Sequence, residues 1–128
     1  MANTHSKKSE VASFLGELIS FRSSLKLVHW SITGNGSYEA HISLDQAIDS
    51  LVDITDRLVE TTFALEGTLD IIIPETSKPE NYIMHVENFY RHVEEVREVL
   101  FAESFSQSIL DDAQEAVQQL LYRLKRLV

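Results

Sequence analysis

Helical periodicity is clearest in residues 38–66, which read YEAHISLDQAIDSLVDITDRLVETTFALE. Apolar side chains recur there every three or four positions, as on the buried face of an amphipathic helix. This apolar face consists of Leu44, Ile48, Leu51, Val52, Leu58, Val59 and Phe63. Gly67 follows directly and favours termination, because glycine readily takes the left-handed conformation that ends many helices. The stretch therefore predicts a long helix from about Tyr38 to Glu66.

Three further segments show the same period. We predict helices from about Ser9 to Thr33, from about Glu80 to Glu103 and from about Ser106 to Leu127. Between the second and third helices, residues 68–79 hold three consecutive isoleucines (71–73) and both prolines. A single strand would have no partner there, so we interpret this connector as a buried crossover that packs on the bundle. The predicted fold class is all-α, a ferritin-like four-helix bundle with a crossover connection between helices 2 and 3.

Composition limits the classes of protein. The chain of 128 residues suffices for a single domain with a core, with a flexible tail expected over residues 1–8. The absence of cysteine excludes disulfides and thiolate chemistry and fits a reducing compartment. The net charge of −9 opposes DNA binding, and no apolar run matches a membrane span or a signal-peptide core. We therefore expect a soluble cytoplasmic protein without a DNA or membrane partner.

Five polar residues carry the functional signal: His29, His41, Asp45, Asp56 and Glu60. Two imidazoles and three carboxylates suit divalent iron, zinc or manganese. His41 with Asp45, and Asp56 with Glu60, are each four residues apart, so each pair projects from one helix face. The two pairs lie roughly 16 Å apart along the axis, because Asp56 comes eleven positions after Asp45. One ion cannot bind both pairs of a single chain.

A second copy of this helix could complete both sites. The midpoint between Asp45 and Asp56 lies between Ser50 and Leu51, and helical phase places the two aspartates within about 20° of each other. If two helices pack antiparallel about a two-fold axis at that midpoint, Asp45 of one chain faces Asp56 of the other. Two equivalent composite sites then form. The pattern predicts a two-fold dimer as the smallest competent unit.

A simpler interpretation stays open. A lone histidine on an apolar helix face is more often structural than a ligand, and carboxylates can be neutralised by an ion pair instead of a metal. Arg22 is the candidate partner in such a network. The chain would then be a non-catalytic ferritin-like structural or interaction protein, whose polar residues form a dimer-interface network. His85 and His92 are interpreted as surface or interface residues, and His5 as part of the tail.

The segment LVHWSITG (27–34), followed by the four other site residues, resembles the Dps family of miniferritins. Members of that family carry a His-Trp pair near the end of the first helix. Their second histidine lies twelve residues after the first, and the following Asp, Asp and Glu lie four, fifteen and nineteen residues after the second. All four spacings match this chain, at His29, His41, Asp45, Asp56 and Glu60.

The resemblance implies a ferroxidase centre at a two-fold interface. His29, His41 and Asp45 would come from one subunit, and Asp56 and Glu60 from its mate, with Glu60 as the bridging carboxylate. The centre would hold non-haem iron, as one ion or as a dinuclear pair, with zinc or manganese as alternatives. Hydrogen peroxide or oxygen would oxidise Fe(II) there, and a dodecameric shell would store the ferric mineral.

The resemblance also assigns a place to Trp30. Its ring would lie close to the centre, where it could shuttle an electron or quench a radical; the simpler interpretation is a core aromatic beside a helix end. The chain is shorter than typical miniferritins and lacks the lysine-rich tail that many of them use for DNA. It also resembles short relatives encoded by bacteriophages, which would act in the host-cell cytoplasm.

Overall fold

The computed structural model describes the backbone of residues 2–127 and the side chains of residues 7–127. Four helices form: α1 (Ala2–Ser31), α2 (Ser37–Glu66), α3 (Tyr82–Leu100) and α4 (Ser104–Arg126). No strand occurs in this part of the chain, and none of its helices is long and apolar enough to cross a membrane. The prediction of an all-α four-helix bundle is confirmed. Helix α1 begins at Ala2 instead of near Ser9, and His5 lies outside the described side chains.

Local chemistry explains where α2 and α3 begin and end. Gly36 precedes α2 with φ of 78°, and Gly67 follows it with φ of 83° and donates its N–H to the Phe63 carbonyl at 2.9 Å. A side chain would be strained at either φ value, so glycine is suited to both ends of α2. The Asn81 side chain accepts a hydrogen bond from the Met84 N–H at 3.0 Å and caps α3.

The four helices share one core. Helix α1 packs against α2 and α3, and α4 also packs against α2 and α3; within the described residues, α1 does not pack against α4 nor α2 against α3. The order around the bundle is therefore α1, α2, α4, α3. The largest fully buried side chains are Phe14, Leu15, Leu18, Leu25, Leu44, Leu51, Leu58, Val86, Val93, Leu110, Leu120 and Leu124.

Neighbouring helices run antiparallel. Short links join α1 to α2 and α3 to α4, which makes each of these pairs antiparallel. Between α1 and α3, Glu17 contacts His92 and Ser24 contacts His85, so the residue numbers rise in opposite directions. Because both α2 and α3 run opposite to α1, they run in the same direction as each other.

The connector of residues 67–81 runs beside α1. The hydroxyl oxygens of Thr76 and Ser20 lie 2.8 Å apart. A Cβ on Gly16 would lie only 2.2 Å from the carbonyl oxygen of Ile72, so the two backbones touch at this glycine. Residue 16 lies against residue 72, and residue 20 lies against residue 76. The residue numbers rise in the same direction along both segments, so the connector runs parallel to α1.

Burial in the connector and on α2 departs from the predictions at three positions. Leu69 and Ile71 pack against the core, whereas Ile72 is 72% exposed and Ile73 is 52% exposed. Val52, predicted on the apolar face of α2, is 42% exposed. The prediction of burial is wrong for these three side chains.

Candidate metal centre

Three of the five predicted site residues come together where α1 ends and α2 begins. The rings of His29 and His41 stack with their centroids 3.7 Å apart and their planes at 25°. Nε2 of His29 lies 3.5 Å from Oδ1 of Asp45. The turn of residues 32–36 brings the last turn of α1 beside the first turns of α2 and so forms this cluster.

The hydrogen bonding of His41 fixes which of its nitrogens is free. Nδ1 lies 3.1 Å from the carbonyl oxygen of His29. Because a carbonyl oxygen only accepts, Nδ1 carries the proton and donates it. In the neutral ring, Nε2 therefore keeps its lone pair. A histidine oriented through one nitrogen and open at the other is the usual form of a metal ligand.

His29 is buried without hydrogen bonds. Its side chain is 7% exposed, and neither ring nitrogen has a hydrogen-bond partner among the described residues. A buried polar group without a partner costs about 1–3 kcal/mol, so a ligand at this ring would relieve an existing penalty. In the conformation described, both nitrogens are closed off from solvent, so a metal ion would reach them only after neighbouring side chains move.

The charge state of His29 also suits a ligand. Burial lowers the pKa of His29, the charges of Lys26 and His41 lower it further, and Asp45 raises it. The neutral ring is therefore favoured at neutral pH. Metal ions bind the neutral imidazole, so no proton has to be removed first.

Lys26 joins the cluster and was not singled out in the sequence. Its Nζ lies 3.6 Å from Oδ1 of Asp45, the same oxygen that faces His29. The predicted partner of the carboxylates, Arg22, instead has a buried Nη1 without a hydrogen-bond partner among the described residues. The sequence did contain a signal for Lys26. It lies three positions before His29, and residues three positions apart share one face of a helix.

Trp30 lies on the surface beside this cluster. Its side chain is 69% exposed, and Nζ of Lys26 lies 5.6 Å from the ring centroid. The interpretation of Trp30 as a core aromatic is wrong. The ring is placed as a neighbour of the Lys26–Asp45 pair.

Asp56 and Glu60 do not join the cluster within one chain. Both are exposed on α2, and neither takes part in an ion pair among the described side chains. Nor does the described part of the chain contain a group of three His, Asp or Glu side chains arranged to hold a metal ion. One chain supplies at most part of a centre. Completion by a second copy stays a prediction.

His85 and His92 lie between α1 and α3, away from the cluster. Nε2 of His92 is 3.1 Å from Oε1 of Glu17, and Nε2 of His85 is 2.7 Å from Oγ of Ser24. Because the Ser24 hydroxyl donates to the carbonyl of Phe21 at 2.6 Å, His85 donates to Ser24. Burial lowers the pKa of His85. Both histidines thus belong to the packing between two helices of one chain.

Comparison with known proteins gives one match. A family model described as "Family of unknown function (DUF5856)" matches residues 29–124, which are 96 of the 128 residues. No curated protein and no solved structure matches the chain. The matched range begins at His29 and contains all five predicted site residues, while the resemblance to miniferritins stays a prediction. The chain belongs to the DUF5856 family.

Proposed function

We propose that the chain is a Dps-like ferroxidase whose metal centre is completed by a second copy of itself. The observation that carries the proposal is His29, buried, favoured in its neutral form and without a hydrogen-bond partner, beside His41 and Asp45. Asp56 and Glu60 of the second copy would face this cluster across a two-fold axis. Assembly of such dimers into a dodecameric shell that stores ferric mineral is the further step of the proposal.

The surface of α2 supports association at this face. Tyr38, Asp45, Val52 and Asp56 follow one another at intervals of seven, seven and four residues and so share one flank of the helix. Tyr38 is 71% exposed and Val52 is 42% exposed. Their burial would favour a dimer, whereas carboxylates brought together there would repel one another unless a cation lay between them. Association and metal binding would therefore favour each other.

The topology supports a ferritin-like bundle. Helices α2 and α3 are diagonal to each other and run in the same direction, so residues 67–81 have to return along the bundle. Fifteen extended residues reach up to about 50 Å, and α3, with 19 residues, is about 28 Å long. The connector is long enough for this return. We propose that it is the crossover connection of the ferritin-like fold.

The ligand set suits iron as the substrate. Two Fe(II) ions would give the two electrons that, with two protons, reduce one hydrogen peroxide to two waters; oxygen is the alternative oxidant. The His29 and His41 rings and the Asp45 carboxylate would bind from one chain, and Asp56 and Glu60 from the other, with Glu60 bridging. Imidazole and carboxylate ligands also accept zinc or manganese, which would occupy the centre without the same reaction.

Loss of the two distal carboxylates tests the proposal. The double variant Asp56→Ala, Glu60→Ala should fold normally, because both side chains are exposed, and should oxidise Fe(II) no faster than buffer. The assay follows near-ultraviolet absorbance after Fe(II) is added with peroxide or in air. The control Glu95→Ala, Glu98→Ala removes two exposed carboxylates from α3 and should keep the wild-type rate. Wild-type oxidation by the first variant would contradict the assignment.

The contacts of Lys26 favour a second candidate function. Lys26 and His29 both approach Asp45, so this carboxylate already has partners inside one chain. A non-catalytic interaction protein would need no more than such a network at a dimer interface. Light scattering with and without added metal separates the two candidates. A dimer that forms equally well without metal, and that does not oxidise Fe(II), would favour the interaction protein.

A further inference from the structure

We propose that Lys26 is a resident cation that occupies the Asp45 carboxylate in the metal-free chain and has to leave it when a metal ion binds. The inference rests on the proposed metal centre and concerns the control of its affinity. Lys26 would make binding weaker and exchangeable, so that metal is taken up at a higher threshold concentration.

The geometry places three groups around one oxygen. Nζ of Lys26 and Nε2 of His29 lie 3.6 Å and 3.5 Å from Oδ1 of Asp45. A metal ion bound by Asp45 and His29 would share this oxygen with the ammonium group. Two cations at one carboxylate oxygen repel each other, so the ammonium would have to move away.

The Lys26–Asp45 pair is easily broken. The side chains of Lys26 and Asp45 are 35% and 51% exposed, and exposed ion pairs contribute little net stability. The lysine stem is flexible, and its ammonium already lies 5.6 Å from the centroid of the Trp30 ring. The face of that ring attracts a cation and offers Lys26 a second position.

Removal of this charge should strengthen metal binding. The variant Lys26→Met keeps most of the length of the side chain and should bind Zn(II) about tenfold more tightly, because one like charge near the ion is lost. Lys26→Arg keeps the charge and should bind Zn(II) with nearly wild-type affinity. The control Lys125→Met removes one positive charge as well, but from a different ion pair, because Lys125 on α4 pairs with Glu87 on α3 at 2.7 Å. It should leave the affinity unchanged.

Zn(II) titration of the four proteins by calorimetry tests the proposal. Trp30 is the single tryptophan, so its fluorescence reports separately on the movement of Lys26. Zn(II) should shift the Trp30 emission of the wild type, because the ammonium group of Lys26 moves relative to the ring. The shift should be smaller in Lys26→Met, which has no ammonium group at this position. Equal or weaker Zn(II) binding by Lys26→Met would overturn the role of Lys26 and leave the metal centre standing. Absence of Zn(II) binding in both proteins would contradict the metal centre itself.

Discussion

Replacing Gly16 by alanine should destabilise the protein, although the same change within a helix normally stabilises it. A Cβ at this position would lie 2.2 Å from the carbonyl oxygen of Ile72, whereas ordinary contacts begin at 3.4 Å. The connector backbone would have to move by about 1 Å. Overpacking costs about 1–3 kcal/mol, and the upper part of that range applies because the obstacle is backbone. Alanine is more favourable than glycine inside a helix by about 1 kcal/mol, and this gain offsets part of the cost of overpacking. The free energy of unfolding should therefore fall by about 1–2 kcal/mol.

Urea denaturation followed by circular dichroism measures this change, which corresponds to a Tm decrease of roughly 3–8 °C. The control is Ile72→Ala, since the Ile72 side chain is 72% exposed and the clash involves only its backbone. That variant should stay within about 0.5 kcal/mol of the wild type. A Gly16→Ala protein more stable than the wild type would mean that the connector does not lie against α1, and the packing described above would be refuted.

Further outcomes are expected for the core, the pH dependence and the oligomer. Leu51→Ala, at a fully buried position, should lower the free energy of unfolding by about 2–5 kcal/mol in urea denaturation. The free energy of unfolding should fall as the pH drops through 6.5. Burial lowers the pKa of His85 below that value in the folded chain, so the unfolded chain binds the proton more tightly. His85→Gln should flatten this part of the urea–pH profile; an unchanged profile would exclude His85 as its source. Zn(II) should raise the dimer fraction in sedimentation, and Asp56→Asn should remove that effect.

Apolar spacing was enough to predict the helices but not the surface of the connector. Leu44, Leu51 and Leu58 recur every seven residues, and all three are fully buried. In the connector, hydrophobicity alone predicted burial of the isoleucine run. Ile71 packs against the core, whereas both Ile72 and Ile73 are exposed, so hydrophobicity does not separate the buried isoleucine from its two neighbours. Which side faces the core depends on how the segment lies on α1, and the sequence does not contain that information in any local pattern.

Spacing also predicted the main property of the candidate centre, that one chain cannot join its two ligand pairs. The helical rise alone separates Asp45 from Asp56, whatever the rest of the fold. The partner of Asp45 could not be predicted in the same way. Both Arg22 and Lys26 are cations near His29, and the choice depends on how α1 is rotated against α2. The exposure of Trp30 depends on the same rotation, so the general tendency of large aromatic side chains to be buried does not predict it.

In the proposed metal centre, the ligands come from two chains. Asp45→Ala and the double variant Asp56→Ala, Glu60→Ala should each be inactive alone, and the measurement is Fe(II) oxidation after the two are assembled together in equal amounts. Random pairing makes half of the dimers mixed, and each mixed dimer has one site with every ligand and one site without Asp45, Asp56 and Glu60. The mixture should therefore recover about one quarter of the wild-type activity. Activity no higher than that of either variant alone would contradict a centre shared between chains.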